Sequence, residues 1–375
     1  MKSIDTYIYH SQFLPNVSVG GSECYAFGDV VLVKYKMSAK YGIVRENEEQ
    51  VASLANQANA KGVNTPKHIA IKREEVDGQN ICWVLQEKAK GVSFANYSWN
   101  RDNQVQLASQ KVFADAPIEH YTKLVSDLMY LFNAGLELKP KNVFYDEDKK
   151  NGGFVIIDLL GGDQKPFSGS LEDVIMMQRL VNFVTNFTSI PSYNNPTEQQ
   201  AQMSKIYENK IKAKIFMAME KSIPNFEEHK RWLLRTFDQQ TLFGLEQNGI
   251  DVGDLTLTTQ EKQKFVQMLN ESVDSLVEKI KSGKYTYHDI VANQVRFVTS
   301  DKGLAYSWGY HDQCPYSRQD FSDDYEFKWK LESDIQSKLM AKVNQKIKEL
   351  VSDPQTATPE VVSAYQEMSQ NEYIY

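Results

Sequence analysis

Cysteine is scarce in this chain: three residues, Cys24, Cys82 and Cys314, lie far apart among 375. An odd, scattered set argues against a disulfide framework and for a reducing compartment, so the expected location is the cytoplasm. Long apolar runs are missing as well. No stretch approaches the roughly 18 uninterrupted apolar residues of a membrane span, and Met1-Lys-Ser-Ile-Asp-Thr-Tyr carries no apolar signal core. Delivery into another cell as an effector, by a signal of another kind, is compatible with this. Basic excess is absent too: 42 Lys and Arg against 49 Asp and Glu leave a net charge of −7. Nucleic acid is therefore not the expected partner. No repeat is visible and no G-x-S-x-G elbow occurs, so serine-hydrolase chemistry has no support. His311 and Cys314 have no second ligand pair nearby, and ordinary packing is the better reading of them than zinc.

What is present is ample core material, 41% hydrophobic residues with 24% charged. The first part reads as β-rich. Val17 to Phe27 is expected to form strand, glycine turn and strand, and Val30 to Lys36 a further strand after the Gly28-Asp29 turn. Gly20 and Gly21 would let backbone amides approach a phosphate, although a glycine pair between strands is more often only a turn. Glu46 to Ala60 is rich in helix formers, with Val51, Leu54, Ala55 and Ala58 at helical spacing. Two more strand-like runs follow, His68–Lys72 and Asn80–Leu85.

The helical pattern of Ile118 to Phe132 puts Tyr121, Leu124, Val125, Leu128 and Phe132 on one face. It leads into a loop carrying Glu137, Lys139 and Asn142. Two short apolar strands then deliver Asp158 at a strand end. Two acids, an amide and a lysine brought together this way suit a site that holds a metal and a phosphate. Further helices are expected over Ile206–Met219, over Thr258–Ile280 with a Thr258/Glu261 capping box and Gly283 closing it, and over Leu339–Leu350.

The loop Leu138-Lys139-Pro140-Lys141-Asn142 followed by Asp158 resembles the catalytic loop and metal-binding aspartate of protein kinases. The resemblance covers about the first half of the chain. It implies a bilobal α+β protein-kinase-like fold: a small antiparallel β-sheet lobe with one helix over 1–88, the core of a helical lobe over 89–190, and a helical extension over 191–375. It also implies Mg²⁺ and ATP as cofactors, with Asn142 and Asp158 holding the metal. Lys34, in Val31-Leu-Val-Lys34, would grip the phosphates, with Lys36 a rival on the same strand face. Glu48 would tether that lysine, with Glu49 as the close alternative. Glu87 and Ala89 would read the adenine edge from the hinge, Val19, Leu32 and Phe144 would form apolar walls, and Gly20 and Gly21 would lie over the phosphates. Lys139 would neutralise the γ-phosphate and Glu137 would serve the acceptor hydroxyl.

The departures are specific. Gly135-Leu136-Glu137 stands where His-Arg-Asp is expected, and Gly161 runs quickly into a helix pattern at Leu171 with no A-P-E segment. Three functions follow as expectations. The first is an atypical kinase acting on a hydroxyl, Ser/Thr of a protein. The second is a small-molecule kinase of the aminoglycoside or choline type, and the third a pseudokinase that binds nucleotide or a partner.

Overall fold

The computed structural model describes residues 2–17, 22–36, 48–76, 78–94, 102–137, 142–148, 153–161, 195–224, 226–235, 237, 239–291, 295, 304–321 and 324–371. The fold is α+β, with a small antiparallel sheet near the N-terminus and a large, mainly helical C-terminal part. The chain divides into two compact units, Met1–Phe226 with Phe243–Ile250, and Glu227–Leu242 with Asp251–Tyr375.

In the first unit, helix α1 (Ile4–Ser11) precedes strands β1 (Glu23–Phe27) and β2 (Val30–Lys36). Phe27 pairs with Val30, so Gly28 and Asp29 alone make the turn, and Gly28 has the positive φ, +65°, that such a turn requires. Helix α2 (Glu48–Ala60), β3 (His68–Val76) and β4 (Gln79–Glu87) complete a sheet of order β1-β2-β4-β3, antiparallel throughout. Both faces of this sheet are covered. Leu32, Ile81, Trp83 and Leu85 pack on one face with Ile4, Tyr7 and Ile8 of α1. Val33, Tyr35, Cys82 and Val84 occupy the other. Two-face burial explains why Ile81–Gln86 is buried without alternation. The strand expected at Val17 enters residues outside the description, but the Val17 N–H donates to the Cys24 carbonyl at 2.9 Å. Helix α1 was not among the sequence expectations.

The rest of the first unit is built on α3 (Asn103–Asp115), α4 (Ile118–Asn133) and α5 (Glu198–Ser222). Asp102 caps α3 by accepting from the Gln104 and Val105 N–H groups, and Thr197 with Gln200 forms a capping box on α5. The face of α4 buries Tyr121, Leu124, Val125, Leu128 and Phe132, as its spacing predicts. Phe113, Tyr121, Tyr145 and Phe154 make an aromatic cluster beneath it.

In the second unit, α8 (Thr259–Lys281), α10 (Asp324–Ser352) and α11 (Pro359–Asn371) pack together, with the short helices α6 (Phe226–Arg235) and α9 (Leu304–Gly309) also in this part of the chain, while α7 (Gln239–Gln247) is divided between the units after Leu242. Leu331, Ile335, Leu339, Val343 and Ile347, four residues apart, bury one stripe of α10 against Phe265, Leu269, Val273 and Leu276 of α8. The Thr258/Glu261 capping box forms, and Gly283 follows the helix end at φ +65°.

Glu261 does more than cap. Its carboxylate lies 2.8 Å from the guanidinium of Arg235, whose side chain is 3% exposed and also donates to the Leu255 carbonyl. Burial alone would raise the Glu261 carboxyl, but the Thr258 N–H and the Arg235 charge outweigh it and hold the pKa at about 2. Because the folded value lies below the ordinary 4.5, this pair stabilises above that pH, and the contribution is lost as pH falls toward 2. Glu261→Gln is expected to cost about 2 kcal/mol in urea unfolding at neutral pH, less than a fully buried pair would. The acid-induced loss of stability in that window should be smaller in the variant. An unchanged acid limb would refute this account.

Candidate functional site

The site grows from the end of α4. Gly135, at φ +74°, stops the helix by reversing the chain where a side chain would be strained, and the fully buried Leu136 begins β6 (Leu136–Glu137). Strand β6 pairs antiparallel with β9 (Leu160–Gly161). Beside them β7 (Val143–Tyr145) pairs with β8 (Phe154–Ile156) and with β5 (Val92–Ser93). These ladders hold both ends of the short stretch between β8 and β9, and Asp158 sits in it.

Asn142 and Asp158 are brought together. The Asn142 carbonyl accepts from the Ile157 N–H at 2.8 Å, and its side-chain amide donates to Asp158 Oδ2 at 2.9 Å. Asp158 has a φ of +51°, a left-handed backbone uncommon for a residue with a side chain. Such strain persists where surrounding contacts over-determine it, and it concentrates at functional sites. A third group completes the cluster: the Tyr35 hydroxyl donates to Asp158 Oδ1 at 3.0 Å. Both carboxylate oxygens of Asp158 are thus engaged.

Tyr35 was not predicted, and its presence corrects the expectation for Lys34. Along β2 the side chains alternate, so Tyr35 and Val33 share the face toward Asp158, whereas Lys34 shares the opposite face with Leu32. There Lys34 pairs with its cross-strand neighbour Glu23 at 3.2 Å and lies over Trp83, 5.3 Å from the ring centroid. The ion pair of Lys34 is therefore with Glu23 and not with Glu48. Leu32, expected as an adenine wall, is fully buried under α1 on that far face. A strand apolar on both sides hides its register from sequence reading; only the tyrosine among the valines could have signalled the inner face.

Glu48 is 3% exposed and points inward from the first turn of α2, which packs against β3 and β9. Glu49 is the outward one. It makes two 2.8 Å hydrogen bonds with Arg73 on β3, and the guanidinium holds its carboxyl at about 2. At the hinge, the Glu87 N–H donates to the Lys67 carbonyl and its carboxylate accepts from the Lys67 N–H, while Ala89 is half-buried. Phe144 is half-buried on β7, alternating with the buried Val143 and Tyr145. Val19, Gly20, Gly21 and Lys139 lie outside the described residues, as do the side chains of Glu137 and Lys36.

Buried polar contacts tie this centre to the α2–β3 connection and to α4. The Ile156 N–H donates to the Asn64 carbonyl at 2.8 Å, the Asn64 N–H to Asp127 Oδ2 at 3.1 Å, and Lys123 pairs with Asp127. Sequence reading missed Asn64 and Asp127, because a buried aspartate on an apolar helix face looks like an exception until its partners are placed.

The sequence matches no family model and no curated protein sequence. Solved structures do match. One is the co-crystal structure of WbdD and kinase inhibitor LY294002, 14% identical, with a TM-score of 0.29. The match covers 61% of this chain and spans about half, 49%, of that one. So distant a likeness assigns no chemistry, and the site has to be read from its own residues. Among the described residues no group of three or more His, Cys, Asp and Glu side chains could hold a metal ion. Asp158 and Asn142 instead set a carboxylate and a side-chain amide side by side, with the amide nitrogen turned toward the carboxylate.

Proposed function

We propose that the chain binds a magnesium–nucleotide complex, ATP first, at Asn142 and Asp158, and acts as an atypical kinase on a hydroxyl acceptor. The observation that carries this reading is the 2.9 Å contact between the Asn142 amide and an Asp158 carboxylate held in a left-handed backbone between β8 and β9. Mg²⁺ would be held by the Asp158 carboxylate and the Asn142 oxygen, and its charge would neutralise phosphate oxygens as they separate. Asn142 would turn its amide to do so, exchanging its donor contact with Asp158 for an acceptor role. Glu48, buried in the first turn of α2, is the residue proposed to orient a cation or water near the phosphates. Glu137 is the residue proposed to position the acceptor hydroxyl, Lys139 to meet the γ-phosphate, and Gly20 and Gly21 to cover it. A protein Ser/Thr is the first acceptor to try and a small-molecule alcohol the second.

Two observations favour the pseudokinase alternative. The strand lysine of the family pattern is engaged with Glu23 on the far face, and the Tyr35 hydroxyl already donates to Oδ1 of the Asp158 carboxylate. The test is thermal unfolding with ATP and Mg²⁺, together and separately, followed by a γ-phosphate transfer assay with protein and small-molecule alcohols. Stabilisation by neither alone but by both together supports the site, and absence of any stabilisation refutes it. Stabilisation without transfer selects the pseudokinase.

Tyr35→Phe probes the same competition. A hydrogen bond to a carboxylate contributes about 1.5–3 kcal/mol, so freeing Asp158 Oδ1 should tighten Mg²⁺-dependent nucleotide binding by about tenfold or more. Weaker binding in Tyr35→Phe would mean that the hydroxyl supports the ligand instead of competing with it.

A further inference from the structure

A cavity of about 830 Å³ opens in the first unit between the hinge and the β7–β8 hairpin, and none of Tyr35, Asn142 and Asp158 lines it. Its volume is that of a small-molecule site. The floor is apolar, made by Pro66, Val92, Val112 and Val155. Four carboxylates line it, Glu87, Asp146, Glu147 and Asp148, against two ammonium groups, of which Lys90 is already paired with Asp29. Glu87 is partly used by the Lys67 N–H and Asp146 by the Asp148 N–H. Glu147 and Asp148 are exposed at the rim.

Two further observations show that this is a built cavity. Thr65 lines it, is 3% exposed, and its hydroxyl oxygen is buried without a hydrogen-bond partner among the described residues. A buried hydroxyl left unpaired costs free energy that a ligand donor would recover. Gly91, also in the lining, has a φ of +91° and approaches β7 so closely that a Cβ would lie 2.0 Å from the Tyr145 carbonyl oxygen. The hinge is thereby held directly against β7, and the cavity wall is fixed in place.

From these we infer that the cavity binds a small amphiphilic organic cation, whose apolar body lies on Pro66, Val112 and Val155 and whose ammonium meets the acidic rim and Thr65. An ammonium has three donors and no acceptor, which suits carboxylates and an unpaired hydroxyl oxygen together. The lining shares Glu87 and Ala89 with the hinge but includes none of Tyr35, Asn142 and Asp158, so binding here is tested without nucleotide.

Thermal unfolding and calorimetry of the full chain, without nucleotide, would use phenylbutylammonium, its neutral analogue phenylbutanol and its anionic analogue phenylbutyrate. The cation is expected to bind about tenfold more tightly than either analogue, a difference within reach of a few partly screened charges. The double variant Glu147→Gln/Asp148→Asn changes exposed groups only and should remove most of that preference while leaving the unliganded Tm unchanged. Thr65→Val should weaken the cation more than phenylbutanol, provided its own unfolding stays cooperative. A cation that binds no better than the alcohol, or a preference untouched by the double variant, would overturn the inference.

Discussion

Asp158→Ala is expected to abolish stabilisation by ATP and Mg²⁺ entirely. If the wild-type chain is measured at a nucleotide concentration about 100 times Kd, ligand linkage raises its stability by about 2.7 kcal/mol, and that increment should vanish in the variant. Asp158 is the carboxylate of the pair, and no third acidic or imidazole ligand stands beside it among the described residues, so its loss cannot be made good locally. The substitution also removes the carboxylate to which the Tyr35 hydroxyl and the Asn142 amide donate. The unliganded protein should therefore lose about 1–3 kcal/mol as well. Asp158→Asn separates the two effects: it keeps an oxygen for Tyr35 but removes the charge, so it should unfold nearer the wild type while still failing to respond to Mg²⁺. Undiminished nucleotide stabilisation in Asp158→Asn would move the metal away from this residue and sink the proposed centre.

The largest effect on stability is expected at Gly91. A side chain there faces two penalties at once. Its φ of +91° lies outside the ordinary regions for any residue with a Cβ, a strain of about 1–3 kcal/mol. The Cβ would also overlap the Tyr145 carbonyl at 2.0 Å, with the Asp146 Cα only 2.7 Å away, and these are backbone atoms of a paired strand that cannot step aside cheaply. Overpacking of this kind costs about 1–3 kcal/mol more. Gly91→Ala should thus lower stability by more than about 3 kcal/mol, or about 10 °C in the unfolding of the first unit. Tyr145 anchors the aromatic cluster through Phe113 and Phe154, so the damage should reach the core under α4. A shift of less than about 2 °C would mean that the hinge relaxes away from β7 and is not fixed as described.

Local pattern carried a good deal of this. The face of α4, the capping boxes that open α5 and α8, and the two-residue turn at Gly28-Asp29 depend on residues close in sequence; of these, the α4 face, the Thr258/Glu261 box and the Gly28-Asp29 turn were readable there. The proximity of Asn142 and Asp158 was legible for a similar reason: only a hairpin separates them, and short antiparallel ladders on either side leave little freedom. Glu48 facing inward and Glu49 facing outward followed from α2 and its clip to Arg73, which the sequence left as an open choice.

The sequence by itself determined the main sheet strands with α2 and α4, the acid–amide pair at the heart of the site, and the absence of long apolar spans. It did not determine which side of β2 faces that pair. Val30 to Val33 is apolar at every position, since α1 covers one face of the sheet while the other packs as well, and a strand without alternation carries no register. Only tertiary packing turned Tyr35 toward Asp158 and Lys34 toward Glu23 and Trp83. The cavity behind the hinge was equally invisible. Its walls come from α2, the hinge, α3 and the β7–β8 hairpin, and their meeting depends on one glycine close enough to Tyr145 that no other residue fits.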